Sequence, residues 1–321
     1  MNCLVTGANG FVGHALLNEL NKIEKYTASG AVRTMTLNQA TPQPKMFSVG
    51  GLGTECDWSE TLNGQQVVIH VAARTHIMDD IVTDPLFEYR KVNVEGTLHL
   101  AKQAASAGVR RFIFLSSIKV NGESTVTGSA LKYTDKAMPA DSYGSSKAEA
   151  EDGLWQISRE TGMEIVIIRP PLVYGPGVKA NFASMMKLAA KNFPLPLGAI
   201  YNRRSMVALD NLISLIVTCI DHPKAANQTF LVSDDRDVST TELLQMMAHA
   251  FGKKARLIPI PMSWIQGATT LLGKKAIADR LCGSLQVDIT HTKETLGWKP
   301  PVTMEQQLAK IAASMSSPRD V

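Results

Sequence analysis

The sequence predicts an α/β protein in which a doubly wound parallel sheet precedes a smaller, mostly helical region. Three observations predict it. Short apolar runs at 2–6, 28–32, 67–72, 112–116 and 165–168 alternate with stretches of helical period. Strands spaced by helices in this way pair in parallel, with helices covering both faces of the sheet. Glycines at 7, 10 and 13 end the first apolar run and open the first helical one, and from Arg169 onward prolines and glycines break the alternation.

The elements follow in order. Asn2-Cys3-Leu4-Val5-Thr6 is the first strand, and Gly7-Ala8-Asn9-Gly10-Phe11-Val12-Gly13 is a tight turn leading into a helix over 14–20. Strands at 28–32, 67–72, 112–116 and 165–168 are separated by helices that include 84–107 and 142–161. Pro170-Pro171 and Gly175-Pro176-Gly177 then interrupt the pattern. A Met-containing helix is expected over 181–192, a Pro-rich connection over 193–198, and strands returning to the sheet at 206–209 and 228–232. The chain from Thr240 onward reads as mostly helical, with a frayed end from Ser316. The division is a Rossmann-type nucleotide-binding domain over 1–171, with returning strands at about 205–235, and a substrate-binding region over 172–204 and 236–321.

Composition narrows the function classes. A chain of 321 residues with 45% hydrophobic and 19% charged residues can bury a sizeable core. The net charge of +4, the few aromatics and the lack of a long basic run argue against nucleic-acid binding. Cys3, Cys56, Cys219 and Cys282 are scattered, which points to reduced, buried thiols and to no metal site. The chain opens directly on a strand, and its longest apolar run, at 212–220, is too short to cross a bilayer. No signal peptide, no membrane insertion and a cytoplasmic location are therefore expected.

The glycine turn suits a dinucleotide. Glycines let the backbone approach a pyrophosphate, and the following helix N-terminus offers N–H donors and partial positive charge. The spacing is Gly-x-x-Gly-x-x-Gly. The second strand ends in Ser29-Gly30-Ala31-Val32-Arg33, without the acid that usually binds an NAD ribose, and Arg33 can pair with a 2′-phosphate. NADP(H) is therefore preferred and NAD(H) remains possible, with a solvated Arg33 as the alternative reading. His70-Val71-Ala72-Ala73 would lie against the adenosine half.

Tyr143 and Lys147 lie four residues apart in an expected helix and share one face. The Lys charge favours phenolate, which would make Tyr143 a usable base near neutrality, and a Ser hydroxyl from a neighbouring strand can hold the same substrate oxygen. Such a set moves a proton on and off an alcohol or carbonyl.

With these motifs in place, the chain resembles the extended short-chain dehydrogenase/reductases of the NAD-dependent epimerase/dehydratase type. The resemblance runs through Thr6-Gly7-Ala8-Asn9-Gly10-Phe11-Val12-Gly13, His70-Val71-Ala72-Ala73, Asn93-Val94-Glu95-Gly96-Thr97 and Phe114-Leu115-Ser116-Ser117. It continues through Tyr143-Gly144-Ser145-Ser146-Lys147, Arg169-Pro170-Pro171-Leu172-Val173-Tyr174-Gly175-Pro176, Arg204-Ser205-Met206-Val207-Ala208-Leu209-Asp210 and Leu296-Gly297-Trp298. It implies Ser117, Tyr143 and Lys147 as catalytic residues, with Ser117 selected over Ser116. For the cofactor it implies Gly7, Asn9, Gly10, Phe11, Val12, Gly13, Arg33, Ala72, Ala73 and Pro170, together with Tyr143 and Lys147, Lys147 holding the nicotinamide ribose. For the substrate it implies Arg204 on a nucleotide-sugar pyrophosphate, Arg280 as a looser second match or else a solvated helix-end residue, and Asn181-Phe182 near the sugar and base. Arg74 and His76 after the Ala-Ala motif, and Lys119 after Ser117, either face the sugar or are solvated. The resemblance also implies a homodimer.

Departures from the family pattern bear on the reaction. Family dehydratases place an Asp-Glu pair after the catalytic hydroxyl residue, whereas Ile118-Lys119 stands here, which excludes elimination of water. Leu172 replaces a frequent Asn, and Gly50-Gly51 replaces a Gly-Asp that meets adenine. The preferred reading is NADPH-dependent reduction of a UDP-4-keto-6-deoxy-N-acetylhexosamine. The alternative is a UDP-hexose or UDP-N-acetylhexosamine 4-epimerase with tightly bound NAD. A non-catalytic NADP-binding sensor would have no need of all three residues Ser117, Tyr143 and Lys147. A dehydrogenase of apolar alcohols would have no need of Arg204.

Overall fold

The computed structural model describes residues 1–35, 44–75, 84–126, 128–264, 267 and 281–316. In chain order the first half comprises β1 (Asn2–Thr6), α1 (Phe11–Leu20), β2 (Thr27–Val32), β3 (Lys45–Ser48), α2 (Ser59–Leu62), β4 (Val67–His70) and α3 (Pro85–Tyr89). It continues with α4 (Gly96–Ser106), β5 (Arg111–Leu115), α5 (Ser142–Thr161) and β6 (Glu164–Arg169). The second half holds β7 (Leu172–Tyr174), α6 (Ala180–Lys191), β8 (Arg204–Ala208), α7 (Leu209–Asp221), β9 (Gln228–Leu231), β10 (Asp237–Val238) and α8 (Thr240–Ala250). Helices Thr290–Leu296 and Met304–Ser316 follow.

Seven strands form one sheet in the order β3-β2-β1-β4-β5-β6-β9, each pair parallel. The apolar runs at β1, β4, β5 and β6 are buried almost throughout, as expected for strands covered on both faces. One face packs Leu16, Leu20, Leu212 and Ile216 from α1 and α7 against Val5 and Ile69. The other packs Leu100, Ala104, Leu154 and Ile157 from α4 and α5 against Leu4, Val68 and Phe112. Chain direction across the sheet reverses between β1 and β4, which opens a crevice at their carboxyl ends, the place where such sheets bind ligands.

Two expectations are corrected. The strand at 206–209 does not return to the main sheet. As β8 it pairs with β7 and β10 in a separate three-stranded sheet, and only β9 joins the large one. The expected helix over 84–107 contains a π segment at Arg90–Glu95 between α3 and α4. There Asn93 turns inward, and Gly96 packs so closely that a Cβ would stand 1.8 Å from the Leu52 carbonyl oxygen.

The smaller lobe has its own core, in which Phe182 and Met186 of α6 meet Leu244 and Met247 of α8 and Leu308 of the last helix. A strap at 283–288 ties the lobes together. Ser205 N donates to Leu285 O at 2.8 Å and Leu285 N to Arg203 O at 2.9 Å on the β8 side. On the other side Thr125 N donates to Ser284 O and Leu131 N to Gln286 O, both at 2.8 Å. The frayed end expected from Ser316 falls, from 317 on, outside the described residues.

Candidate active site

The turn after β1 has the shape the glycines demand. Gly7 has φ +65°, and a Cβ there would lie 2.9 Å from the Ala72 Cα, so the loop after β4 sits directly against it. A Cβ on Gly13 would stand 2.2 Å from the Gly7 carbonyl oxygen. Gly10 N donates to Gly7 O at 2.8 Å, and α1 begins without a side-chain cap and without an acidic residue in its first turn. A bare, uncapped helix N-terminus beside a glycine turn suits a dinucleotide pyrophosphate. Asn9 and Gly10 are exposed at its mouth, Phe11 is half-buried, and the Val12 side chain packs in the core, which leaves its backbone to face a ligand. Arg33 is exposed at the end of β2, and Ala72 and Ala73 line the loop after β4. His70 is a core residue: its ring nitrogens bond Thr6 Oγ1 at 2.8 Å and Thr97 Oγ1 at 3.0 Å. Burial, with Lys147 nearby, pushes its pKa down to about 3, so it stays neutral.

Ser116 and Ser117 directly follow β5 but do different things. Ser116 is buried and donates its hydroxyl to Glu151. Glu151 also accepts from Arg169 Nε at 3.0 Å, and Arg169 Nη1 donates to Asn121 Oδ1 at 3.0 Å. Ser117 is half-buried, caps the 3₁₀ turn Ile118–Val120, and accepts from Lys119 N at 3.2 Å. Pro170 is buried beneath this turn, its carbonyl accepting from Ile118 N at 2.9 Å.

Helix α5 carries Tyr143 and Lys147 on one face. Asp141 caps it, accepting from Gly144 N at 2.7 Å. Lys147 is buried, donates to Leu115 O at 2.9 Å, and stands 4.4 Å above the Phe114 ring. Desolvation pushes its pKa down to about 7 against the opposing charge of Glu151. The Tyr143 ring lies edge-on to Tyr89 with centroids 6.0 Å apart, and Lys147 Nζ is 5.9 Å from its centroid. Burial first, then the Asp141 charge, raises the Tyr143 pKa. The expected lowering of Tyr143 by Lys147 is not seen: burial, with the charges of Asp141 and Tyr89, sets the direction upward.

The remaining expected residues are placed as follows. The Arg74 guanidinium lies 5.7 Å from the Tyr89 ring, and the Arg74 backbone is held by Asn93, which accepts from its N at 2.8 Å and donates to its O at 3.0 Å. The Lys119 ammonium donates to Glu123 and Asp141, and its side chain is half-buried. Asn181 is exposed in the first turn of α6, while Phe182 stacks on Tyr174 at 5.1 Å inside the small-lobe core. Arg204, half-buried at the start of β8, donates to Gly283 O at 3.4 Å. Arg280 and His76 lie outside the described residues.

Sequence reasoning passed over three positioning residues. Asn93 links the loop after β4 to α5 through Ser146 at 3.1 Å, Asp141 starts α5, and Glu151 anchors Ser116 and Arg169. Asp141 before a helical run was a readable cap signal, and Glu151 is four residues beyond Lys147 on the same face.

A glycine turn at the sheet's switch point, with Ser117 following β5 and Tyr143 and Lys147 at the start of α5, fits a dinucleotide-binding protein of the extended short-chain dehydrogenase class. The NAD dependent epimerase/dehydratase family matches residues 3–233, and the chain belongs to that family. It is 51% identical over 310 residues to UDP-glucose 4-epimerase of Vibrio cholerae, covering 96% of this chain and 94% of that one. It is 26% identical over 321 residues to an N-acetyl-α-D-glucosaminyl-diphospho-ditrans,octacis-undecaprenol 4-epimerase of Escherichia coli O157:H7, covering 96% and 93%. Its fold is similar to that of UDP-N-acetylglucosamine 4-epimerase from Bacillus cereus, with TM-score 0.80, 17% identity and coverage of 99% and 100%. It is also similar to UDP-glucose 4-epimerase of Thermotoga maritima with UDP-glucose, with TM-score 0.77, 20% identity and coverage of 98% of each chain. The expected nucleotide-sugar enzyme stands, and of the two reactions weighed the comparisons favour the 4-epimerase over the 4-keto reductase. No helix among the described residues is long and apolar enough to cross a membrane.

Proposed function

We propose that the chain is a UDP-hexose 4-epimerase that retains NAD. The observation that carries this reading is its 51% identity, across 96% of its length, to a UDP-glucose 4-epimerase. The residues after Ser117 agree with it, since Ile118 and Lys119 offer no acid pair for eliminating water. The nicotinamide supplies a hydride acceptor and donor at C4 of the sugar. Tyr143 Oη takes the proton from the C4 hydroxyl and gives it back, and the Ser117 hydroxyl holds the same oxygen. Lys147 contributes positive charge beside the phenol and holds the nicotinamide ribose. Burial raises the Tyr143 pKa, so a neighbouring positive charge is needed for the phenolate that accepts the proton near neutrality. The glycine turn holds the pyrophosphate of the dinucleotide, and Arg204 the pyrophosphate of the sugar nucleotide.

Arg33 at the end of β2 favours a 2′-phosphate, whereas the family match favours NAD. Acid release and identification of the retained nucleotide decides between them. Purified protein should interconvert UDP-glucose and UDP-galactose without added cofactor, and UDP-N-acetylglucosamine should be tried in parallel. Silence on these sugars, with NADPH consumed only when a UDP-4-keto sugar is supplied, would restore the reductase reading. Replacing Tyr143 by Phe should lower turnover by roughly a hundredfold or more with little change in KM. Near-normal turnover would remove Tyr143 from its role.

A further inference from the structure

The small lobe carries a charge imbalance that catalysis does not use. Residues 165–209 and 243–264 contain no Asp or Glu, although the chain holds 29 of them. The two stretches pack on each other through Phe182, Met186 and Ala189 against Leu244, Met247 and Ala248, and through backbone pairing of Leu195 with Leu257. Lys187, Lys191, Lys253, Lys254 and Arg256 are all exposed on them. Ile258 N donates to Leu195 O at 2.8 Å, which brings the stretch after Arg256 beside Phe193.

Large apolar side chains are exposed on the same two stretches. Trp264 is 71% exposed, Phe193 57%, Ile258 49% and Leu188 39%. Attraction of a soluble sugar nucleotide accounts for the cations but not for exposed Trp and Phe. Lys191 ends α6, about 15 Å along the helix from Asn181 at the other end. Four lysines and an arginine on the same acid-free stretches as exposed aromatic and aliphatic side chains match the chemistry of an anionic bilayer surface. There cations meet headgroup phosphates, and Trp and Phe enter the interfacial region.

We propose that this face of the small lobe docks the enzyme peripherally on an anionic phospholipid surface. The chain lies on the membrane without spanning it. None of the residues of the docking face is among those assigned to the cofactor or the sugar nucleotide, so the inference stands or falls independently of the epimerase reading.

The test is co-sedimentation of the full chain with vesicles of phosphatidylcholine alone and of phosphatidylcholine with one-third phosphatidylglycerol, at low and high salt. Wild type should bind only the anionic vesicles, more weakly as salt rises, with a blue shift of tryptophan emission that Trp264→Phe abolishes. Lys191→Glu with Lys254→Glu should weaken binding about tenfold or more. Phe193→Ser with Trp264→Ser should release the protein at salt concentrations where wild type is still retained. All of these variants should keep the melting temperature and turnover of soluble UDP-glucose. Equal binding to both vesicle types, or none, overturns the proposal. So does concentration-dependent self-association removed by Phe193→Ser, which would assign the face to a second copy. Retention on RNA that is lost in the charge variant but kept in Phe193→Ser/Trp264→Ser would also overturn it.

Discussion

Two adjacent serines with opposite fates show how much one residue's surroundings decide. Ser116 donates its hydroxyl to buried Glu151, while half-buried Ser117 caps the turn that follows β5. Ser117→Ala should cut turnover by about a hundredfold with melting nearly unchanged, as for loss of a donor to the reacting oxygen. Ser116→Ala should do the reverse, costing about 1–3 kcal/mol because a buried carboxylate loses a donor. Parallel kinetics and thermal melts check both, and a stable but inactive Ser116→Ala would exchange the two roles. Lys147 gives a pH signature. Its folded pKa of about 7 lies below the unfolded value near 10.4. Between them the unfolded chain holds a proton that the folded chain has lost, so this group's contribution to stability rises with pH, by at most about 1.4 kcal/mol per unit, and disappears as pH falls through 7. Buried Cys3 and Cys219, raised to about 12, act in the opposite direction above pH 9, so the window is 7 to 9. Lys147→Met should be inactive, and the melting temperature of wild type should climb relative to it across that window. A constant difference would show that the buried ammonium does not titrate there.

The start of α5 is the element on which the site turns. Asp141 caps the helix through Gly144 N and also receives the Lys119 ammonium, so one carboxylate fixes both the Tyr143 helix and the Ser117 turn. A Cβ at Gly144 would stand 2.8 Å from the Lys119 carbonyl oxygen, so the two segments touch at backbone distance. Asp141→Ala should cost about 1–2 kcal/mol, the range for a lost cap. It should lower turnover more than it raises KM, because Ser117 and Tyr143 lose their common support. Asp141→Asn keeps the cap and loses the ion pair, and it should recover most of the stability. Denaturant titration with steady-state kinetics measures both, and a pure KM effect would contradict the positioning role. The π segment at Arg90–Glu95 acts at the same scale, directing Asn93 toward the Arg74 backbone and Ser146.

Across the whole molecule, the strap at 283–288 couples the small sheet to the loop that follows the Ser117 turn. Gln286 Oε1 accepts from Gly128 N at 2.6 Å and its Nε2 donates to Asp237 Oδ2 at 2.6 Å, while Gly283 O receives the Arg204 guanidinium. Gln286→Ala should destabilise the chain by about 1–2 kcal/mol. It should raise KM for the sugar nucleotide several-fold while sparing turnover, since Arg204 loses its setting and the Ser-Tyr-Lys set does not. Unchanged KM with reduced turnover would count against the strap as the support of the substrate side.

What the sequence by itself determined is local. Apolar runs at strand length marked the parallel sheet, the three glycines marked the turn beside it, and Tyr143 and Lys147 shared a face because a helix repeats near every fourth residue. Composition is legible in the same local way, down to the acid-free stretches of the small lobe. Only the tertiary structure decided which sheet β8 joins, why Ser116 is unavailable, and where the Lys119 charge goes. It also decided that burial pushes Tyr143 up while pushing Lys147 down. Each of these depends on desolvation or on hydrogen bonds between residues distant along the chain, which no local period encodes. A charge's effect on its neighbour is set by the water excluded around both, and the packed fold alone excludes it.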